Sequence, residues 1–138
     1  INLFKSDSVE FIKEVCDESV IGSNPMFYLD AHWYDYMPLP DELAAIADQC
    51  KRGIIIIDDF LVPDQPKYLY DEYPGARIDL EMVDTSLRSR REDISVYLPN
   101  HAPSLDPTGP GIGYAVILLG QDLNPPTQTF PFNLLSKV

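Results

Sequence analysis

The chain has 138 residues, 45% of them hydrophobic, which is enough for one buried core and argues against a disordered tail. Twenty-two Asp and Glu against ten Lys and Arg leave a formal charge of −12, which repels phosphate backbones, so no nucleic-acid partner is expected. Cys16 and Cys50 are too few for a disulfide scaffold and lack the spacing of a zinc site or a CxxC pair. They are expected to fill core volume in a reducing, cytoplasmic setting. No aliphatic run approaches the ~20 residues that cross a bilayer, and no basic segment precedes an apolar one as in a secretory signal, so no membrane role is expected.

Ile1-Asn2-Leu3-Phe4 alternates like the middle of a strand, and without an initiating Met the chain is expected to open inside a larger fold. Ser6-Asp7-Ser8 supplies a turn and a helix N-cap before Val9, Phe11, Ile12 and Val15 repeat at helical spacing, with the helix expected to end by Gly22. After the Ser23-Asn24-Pro25 turn, Met26-Phe27-Tyr28-Leu29 reads as a strand that stops at Asp30. Pro40-Asp41-Glu42 opens a second helix, where a missing N–H and two acids suit the first turn, and Leu43, Ile46, Ala47 and Cys50 form its apolar face. The β-branched run at 54–57 reads as a parallel strand covered on both faces, and it too stops at acids, Asp58 and Asp59.

Residues 63–74 carry three prolines and three tyrosines and are expected to form a lid or crossover loop with at most a short helix. Between 78 and 87, Ile78, Leu80, Met82, Val83 and Leu87 mix both periods, so helix and strand-to-turn both remain open. Residues 94–98 and 114–119 read as strands that pair antiparallel if they are neighbours. The order β-α-β-α-β plus a terminal strand pair argues one α/β domain over residues 1–138 with crossover helices on a sheet.

Ligands of such sheets sit beyond the carboxyl ends of the strands, where Asp7, Asp30, Asp58 and Asp59 all fall. Carboxylates on one rim repel unless something absorbs their charge, and a hard cation such as Mg²⁺ suits Asp30, Asp58 and Asp59 with substrate oxygens completing the shell. For any single Asp, helix capping or turn solvation is the commoner use. His32 borders the same rim and is a candidate general base toward a substrate hydroxyl; a half-buried histidine bonded to backbone is the alternative. Trp33, Tyr34 and Tyr36 suit a pocket wall or the base of the second helix equally. His101, among prolines, has no evident role.

Phe27-Tyr28-Leu29-Asp30-Ala31-His32-Trp33, then Leu39-Pro40-Asp41-Glu42-Leu43, then Gly53-Ile54-Ile55-Ile56-Ile57-Asp58-Asp59-Phe60 resemble the second half of a class I S-adenosylmethionine-dependent methyltransferase. The nearest flavour is the metal-dependent O-methyltransferases of the catechol and macrolide-sugar types. The resemblance runs from the first residue to about Leu119 and implies a partial Rossmann-like sheet, third to seventh strands, ending in an antiparallel pair. It implies Mg²⁺ or a similar divalent cation on Asp30, Asp58 and Asp59. Phe4-Lys5-Ser6-Asp7-Ser8 is similar to the turn after the third strand, which implies that Asp7 and Ser8, with Asp30, face the cofactor. Gly111-Ile112-Gly113 leads into a segment that resembles the family's last strand.

Two departures matter. Catechol-type enzymes place a catalytic Lys shortly after the first metal Asp, whereas His32, Trp33 and Tyr34 stand here, so His32 as base is a substitution. The glycine-rich turn that holds the cofactor's methionine end, and the acid that holds its ribose, are both absent from these 138 residues. The expectation is therefore the carboxyl-terminal part of an enzyme that methylates a small-molecule hydroxyl, without the cofactor-binding half and inactive alone. An opened sheet edge is expected to drive homo-oligomer formation or a rearranged sheet in which residues 1–4 move toward Phe27 to Leu29.

Two further classes stay open. Ile54-Ile55-Ile56-Ile57-Asp58-Asp59 also has the form of a Walker B strand, as in the distal half of a P-loop nucleotide hydrolase, though no G-x-x-x-x-G-K-[ST] is present. The other is a non-enzymatic acidic interaction module.

Overall fold

A row of apolar side chains crosses four strands in register: Phe27 beside Ile55, Ile55 beside Ile117, Ile117 beside Val96. This row is the spine of the core in a computed structural model that describes residues 3–16, 22–30, 36–100, 111–120 and 135–138. The strands are β1 (Met26–Leu29), β2 (Gly53–Ile57), β5 (Ile94–Pro99), β6 (Ala115–Leu119) and β7 (Leu135–Lys137), with a separate small hairpin of β3 (Glu72–Tyr73) and β4 (Ala76–Arg77). In space the large sheet runs β1-β2-β6-β5-β7. β1 and β2 are parallel; β6 lies antiparallel between β2 and β5, and β7 is antiparallel to β5. The protein is thus an α/β fold on a mixed sheet, and the expected antiparallel terminal pair is present in β5 and β6.

Alternation sorts each strand's side chains. Ile55 and Ile57 on β2, Ala115, Ile117 and Leu119 on β6, and Val96 and Leu98 on β5 are buried on one face. Helices α1 (Ser8–Val15), α2 (Leu39–Gln49) and the short α3 (Leu80–Val83) supply Ile12, Leu43, Ile46 and Val83 to the same core. The opposite face is only partly covered: Ile54 and Ile56 are half-buried and Tyr28 is 58% exposed. β2 is therefore not covered equally on both faces, as its unbroken isoleucine run suggested. An all-Ile strand satisfies one packed face and tolerates one open face, and composition does not tell the two apart.

The helix ends obey local chemistry. Asp7 caps α1, its Oδ1 accepting from the N–H groups of Val9 (3.0 Å) and Glu10 (3.4 Å). The helix stops at Val15, earlier than Gly22, with the Cys16 N–H closing onto the Ile12 carbonyl at 3.0 Å. Pro40 sits in the first turn of α2, and the other end is held by Arg91, whose guanidinium donates to the carbonyls of Cys50 (2.5 Å) and Lys51 (2.9 Å).

One stretch corrects the sequence reading, and two that it left open take definite form. Leu3 and Phe4 form no strand; Leu3 is 91% exposed and Phe4 instead lies against Phe11, ring centroids 5.1 Å apart. Ile1 and Asn2 lie outside the described residues; among the described residues no strand neighbours Leu3 and Phe4, and alternation without a ladder partner does not make a strand. The proline-rich 63–74 segment is irregular for most of its length, as expected, and ends in the β3–β4 hairpin, turning at Pro74-Gly75 with Gly75 at φ 81°. The ambiguous 78–87 stretch is α3 running into a π-helical turn, Asp84–Arg88, with Val83 and Leu87 buried. No helix among the described residues is long and apolar enough to cross a membrane.

Candidate functional site

The carboxyl ends of β1 and β2 lie side by side. Leu29 pairs with Ile57, and the Asp58 N–H donates to the Leu29 carbonyl at 3.1 Å, carrying the ladder one residue past the strands. Asp30 and Asp58 are thus adjacent at one rim, on strands spaced about 4.8 Å apart. Asp59 follows at φ 52°, a left-handed conformation that a non-glycine residue holds only when its surroundings enforce it.

Those surroundings are specific. The Asp59 carbonyl accepts from the Asp71 N–H at 3.2 Å, and the Phe60 N–H donates to the Gly113 carbonyl at 2.9 Å. A Cβ on Gly113 would stand 2.0 Å from the Phe60 carbonyl oxygen, so only glycine lets the 113 backbone reach this turn. Phe60, fully buried, anchors the other side.

Two tyrosines bracket the acids. Tyr28 Oη donates to Asp58 Oδ2 at 2.5 Å, and its phenol is pushed up to about 12, first by that hydrogen bond, then by burial and by the charges of Asp58, Asp30 and Asp59. Tyr73 Oη donates to Asp71 Oδ2 at 3.0 Å and is also pushed up to about 12, by burial first and then by Asp71, with Asp59 and Asp30 adding to it. Tyr28, Asp71 and Tyr73 were not singled out from the sequence. For Tyr28 a signal existed: two residues before Asp30 on a strand, it shares that residue's face.

The other expected site residues are placed as follows. Asp7 is occupied as the α1 cap, and the Ser8 hydroxyl bonds the Glu42 carboxylate. His32, Trp33, Tyr34 and His101 lie outside the described residues. Tyr36 Oη donates to Asp41 Oδ2 at 2.8 Å in the first turn of α2.

Two clefts are notable, of which the first reaches the rim at Asp30. One of about 390 Å³ lies between α1 and β1, bordered by Ser8, Phe11, Phe27, Asp30 and Glu42. The other, of about 600 Å³, runs along the β3–β4 hairpin and α3, with Tyr73, Arg77, Asp79 and Met82 in its wall.

The acids provide oxygen donors only, as a hard cation requires. Among the described residues no three His, Cys, Asp or Glu side chains stand together as a preformed metal cage. Adjacent Asp30 and Asp58 suit an ion that keeps most of its waters, and Mg²⁺ commonly takes one or two carboxylates. Comparison of the chain with protein-family profiles, with curated proteins and with solved structures finds no match.

Proposed function

We propose that the chain is the acceptor-side part of a divalent-metal-assisted, S-adenosylmethionine-dependent O-methyltransferase acting on a small-molecule hydroxyl. The observation that carries this reading is the paired rim: two parallel strands ending in Asp30 and Asp58, with Asp59 held left-handed beside them. The antiparallel β6 inserted between β2 and β5 supports it further, since a reversed strand there suits a methyltransferase-like sheet. It disfavours the P-loop alternative, in which a Walker B-like strand would be expected among parallel neighbours.

In this reading Asp30 and Asp58, with Asp59, hold Mg²⁺ or a similar ion. When bound, such an ion lowers the pKa of an acceptor hydroxyl and fixes its oxygen. The protein's part is positioning. Tyr28 keeps its proton at neutral pH and occupies one oxygen of Asp58, and Tyr73 holds Asp71 at the mouth of the hairpin cleft. His32, two residues after Asp30 in the sequence, is the proposed base, and Asp7 and Ser8 the proposed cofactor-side contacts. The glycine-rich cofactor loop would come from sequence beyond these 138 residues. The exposed outer side of β1, with Met26 and Tyr28 in the open, is the proposed homo-oligomer contact, and a monodisperse monomer in light scattering contradicts that part.

A thermal-shift assay tests the reading, because a ligand of the native state raises the unfolding midpoint. A rise with Mg²⁺ that Asp58→Ala and Asp59→Ala each remove supports it. A rise with ATP in place of Mg²⁺, or an Mg²⁺ response unchanged in both variants, contradicts it.

A further inference from the structure

Helix α1 depends on what it packs against. Its 8 residues fall short of the roughly 12–15 that an isolated helix needs in water. Ile12 and Val15 are its buried residues, with Cys16 at its end, while Glu10, Lys13 and Glu14 face solvent. It packs chiefly on α2. Its first turn is tied there by the Ser8 hydroxyl on the Glu42 carboxylate, and its last by the Cys50 thiol, which donates to Cys16 Sγ at 2.8 Å.

The two cysteines differ in what holds them. Cys50 closes α2, whose Leu43 and Ile46 are fully buried, and Arg91 grips its carbonyl at 2.5 Å. Cys16 closes α1 through the Ile12 carbonyl, a bond within the same short helix. The pair therefore joins a fixed element to one that can detach, and local opening of such an element costs less than unfolding the core. Opening also uncovers both sulfurs, which burial makes poor nucleophiles while the helix is seated.

The same helix is one wall of the cleft of about 390 Å³. Ser8, Phe11 and Ile12 stand on the α1 side, Phe27 and Tyr28 on the β1 side, with Asp30 among its border residues. Whatever seats or frees α1 sets the width of that cleft. We propose that α1 is a redox-latched flap: with both thiols reduced it leaves α2 by local opening, and a Cys16–Cys50 disulfide holds it down.

Glutathione disulfide is the oxidant that closes the latch. One cysteine loses its proton to solvent and attacks the glutathione disulfide, releasing a first glutathione; the other displaces a second from the mixed disulfide. Two protein S–H bonds and one glutathione S–S bond break, and one protein S–S bond and two glutathione S–H bonds form. The step involves none of Asp30, Asp58 and Asp59, so the latch stands or falls apart from the metal reading.

Native-state hydrogen exchange of the 138-residue chain at neutral pH, read amide by amide before and after glutathione disulfide, is the test. In the reduced chain the amides of Ile12 to Cys16 are expected to be about tenfold or more less protected than those of Val116 to Leu118 in the sheet interior. After oxidation α1 is expected to gain protection by about tenfold or more beyond what β6 gains. Equal protection of α1 and β6 in the reduced chain overturns the proposal, because α1 then opens only with the whole fold. So does a gain in α1 no larger than that in β6, or the absence of the disulfide by mass spectrometry. Cys50→Ser treated in the same way is expected to gain nothing in α1, and a folded variant that gains as much as the parent also overturns it.

Discussion

Tyr28 on the open side of β1 donates its phenol proton to Asp58 at the end of β2, 2.5 Å away. The bond occupies an oxygen that a cation at the rim would need, so ion binding and this hydrogen bond compete. Tyr28→Phe is expected to tighten Mg²⁺ binding by up to about fivefold, the equivalent of one net hydrogen bond of about 1 kcal/mol. Calorimetric titration of the two proteins checks this; equal or weaker affinity in the variant contradicts the competition.

Gly113 supports the rim from behind. Because a methyl group there would meet the Phe60 carbonyl at 2.0 Å, Gly113→Ala must displace the backbone that follows Asp58 and Asp59. An overpacking cost of about 1–3 kcal/mol is expected in denaturant unfolding, together with amide shifts at Asp59 and Phe60. A variant as stable as the parent would show that the turn relaxes freely.

Glu42 makes stability depend on pH in a definite direction. Its folded-state pKa is raised above 4.5, so the native state holds the proton more tightly than the unfolded chain does. The resulting penalty is absent below the ordinary glutamate range and grows as pH rises through the shifted value. Glu42→Gln is therefore expected to melt higher than the parent at pH 7, with the gap closing toward pH 4. Melting curves across that window decide it, and a gap that is constant or widens on acidification contradicts it.

Cys16 and Cys50 close α1 and α2 with their sulfurs 2.8 Å apart, both buried. Burial raises both thiols, Cys50 up to about 12, so thiolate is scarce at neutral pH and oxidation is expected to be slow and to quicken as pH rises. Glutathione disulfide is expected to join them, reduced glutathione carrying away the two electrons and protons. Closing a loop between residues 34 apart would add about 2–4 kcal/mol. Mass spectrometry of the alkylated product reads the bond directly; two free thiols after prolonged exposure at alkaline pH contradict it.

The parts of the fold that sequence shows are those where one local rule dominates. Asp7 as a cap, the Pro40-Asp41-Glu42 helix start, the isoleucine strand and the antiparallel pairing of β5 with β6 each follow from a short-range pattern. Leu3 and Phe4 alternate like a strand but have no strand partner among the described residues, and ladder formation depends on a neighbour that alternation does not supply. The β3–β4 hairpin was hidden among prolines because two-residue strands carry almost no periodic signal. At the site, strand-end acids were readable from sequence. The burial of Glu42 was not, since it arises from how α1 packs on α2, and neither were the bonds from Tyr28 and Tyr73, which join residues through tertiary contact or a tight turn.

The central claim is that Asp30, Asp58 and Asp59 share one cation, and an Mg²⁺ titration followed by amide NMR at neutral pH addresses it most directly. Saturable shifts concentrated at 30, 58 and 59, accompanied by a change at the Tyr28 ring carbon bearing the hydroxyl and weakened about tenfold or more by Asp58→Asn, are the expected result. Shifts scattered over the acidic surface without saturation, or an Asp58→Asn variant that binds Mg²⁺ as the parent does, would contradict the account.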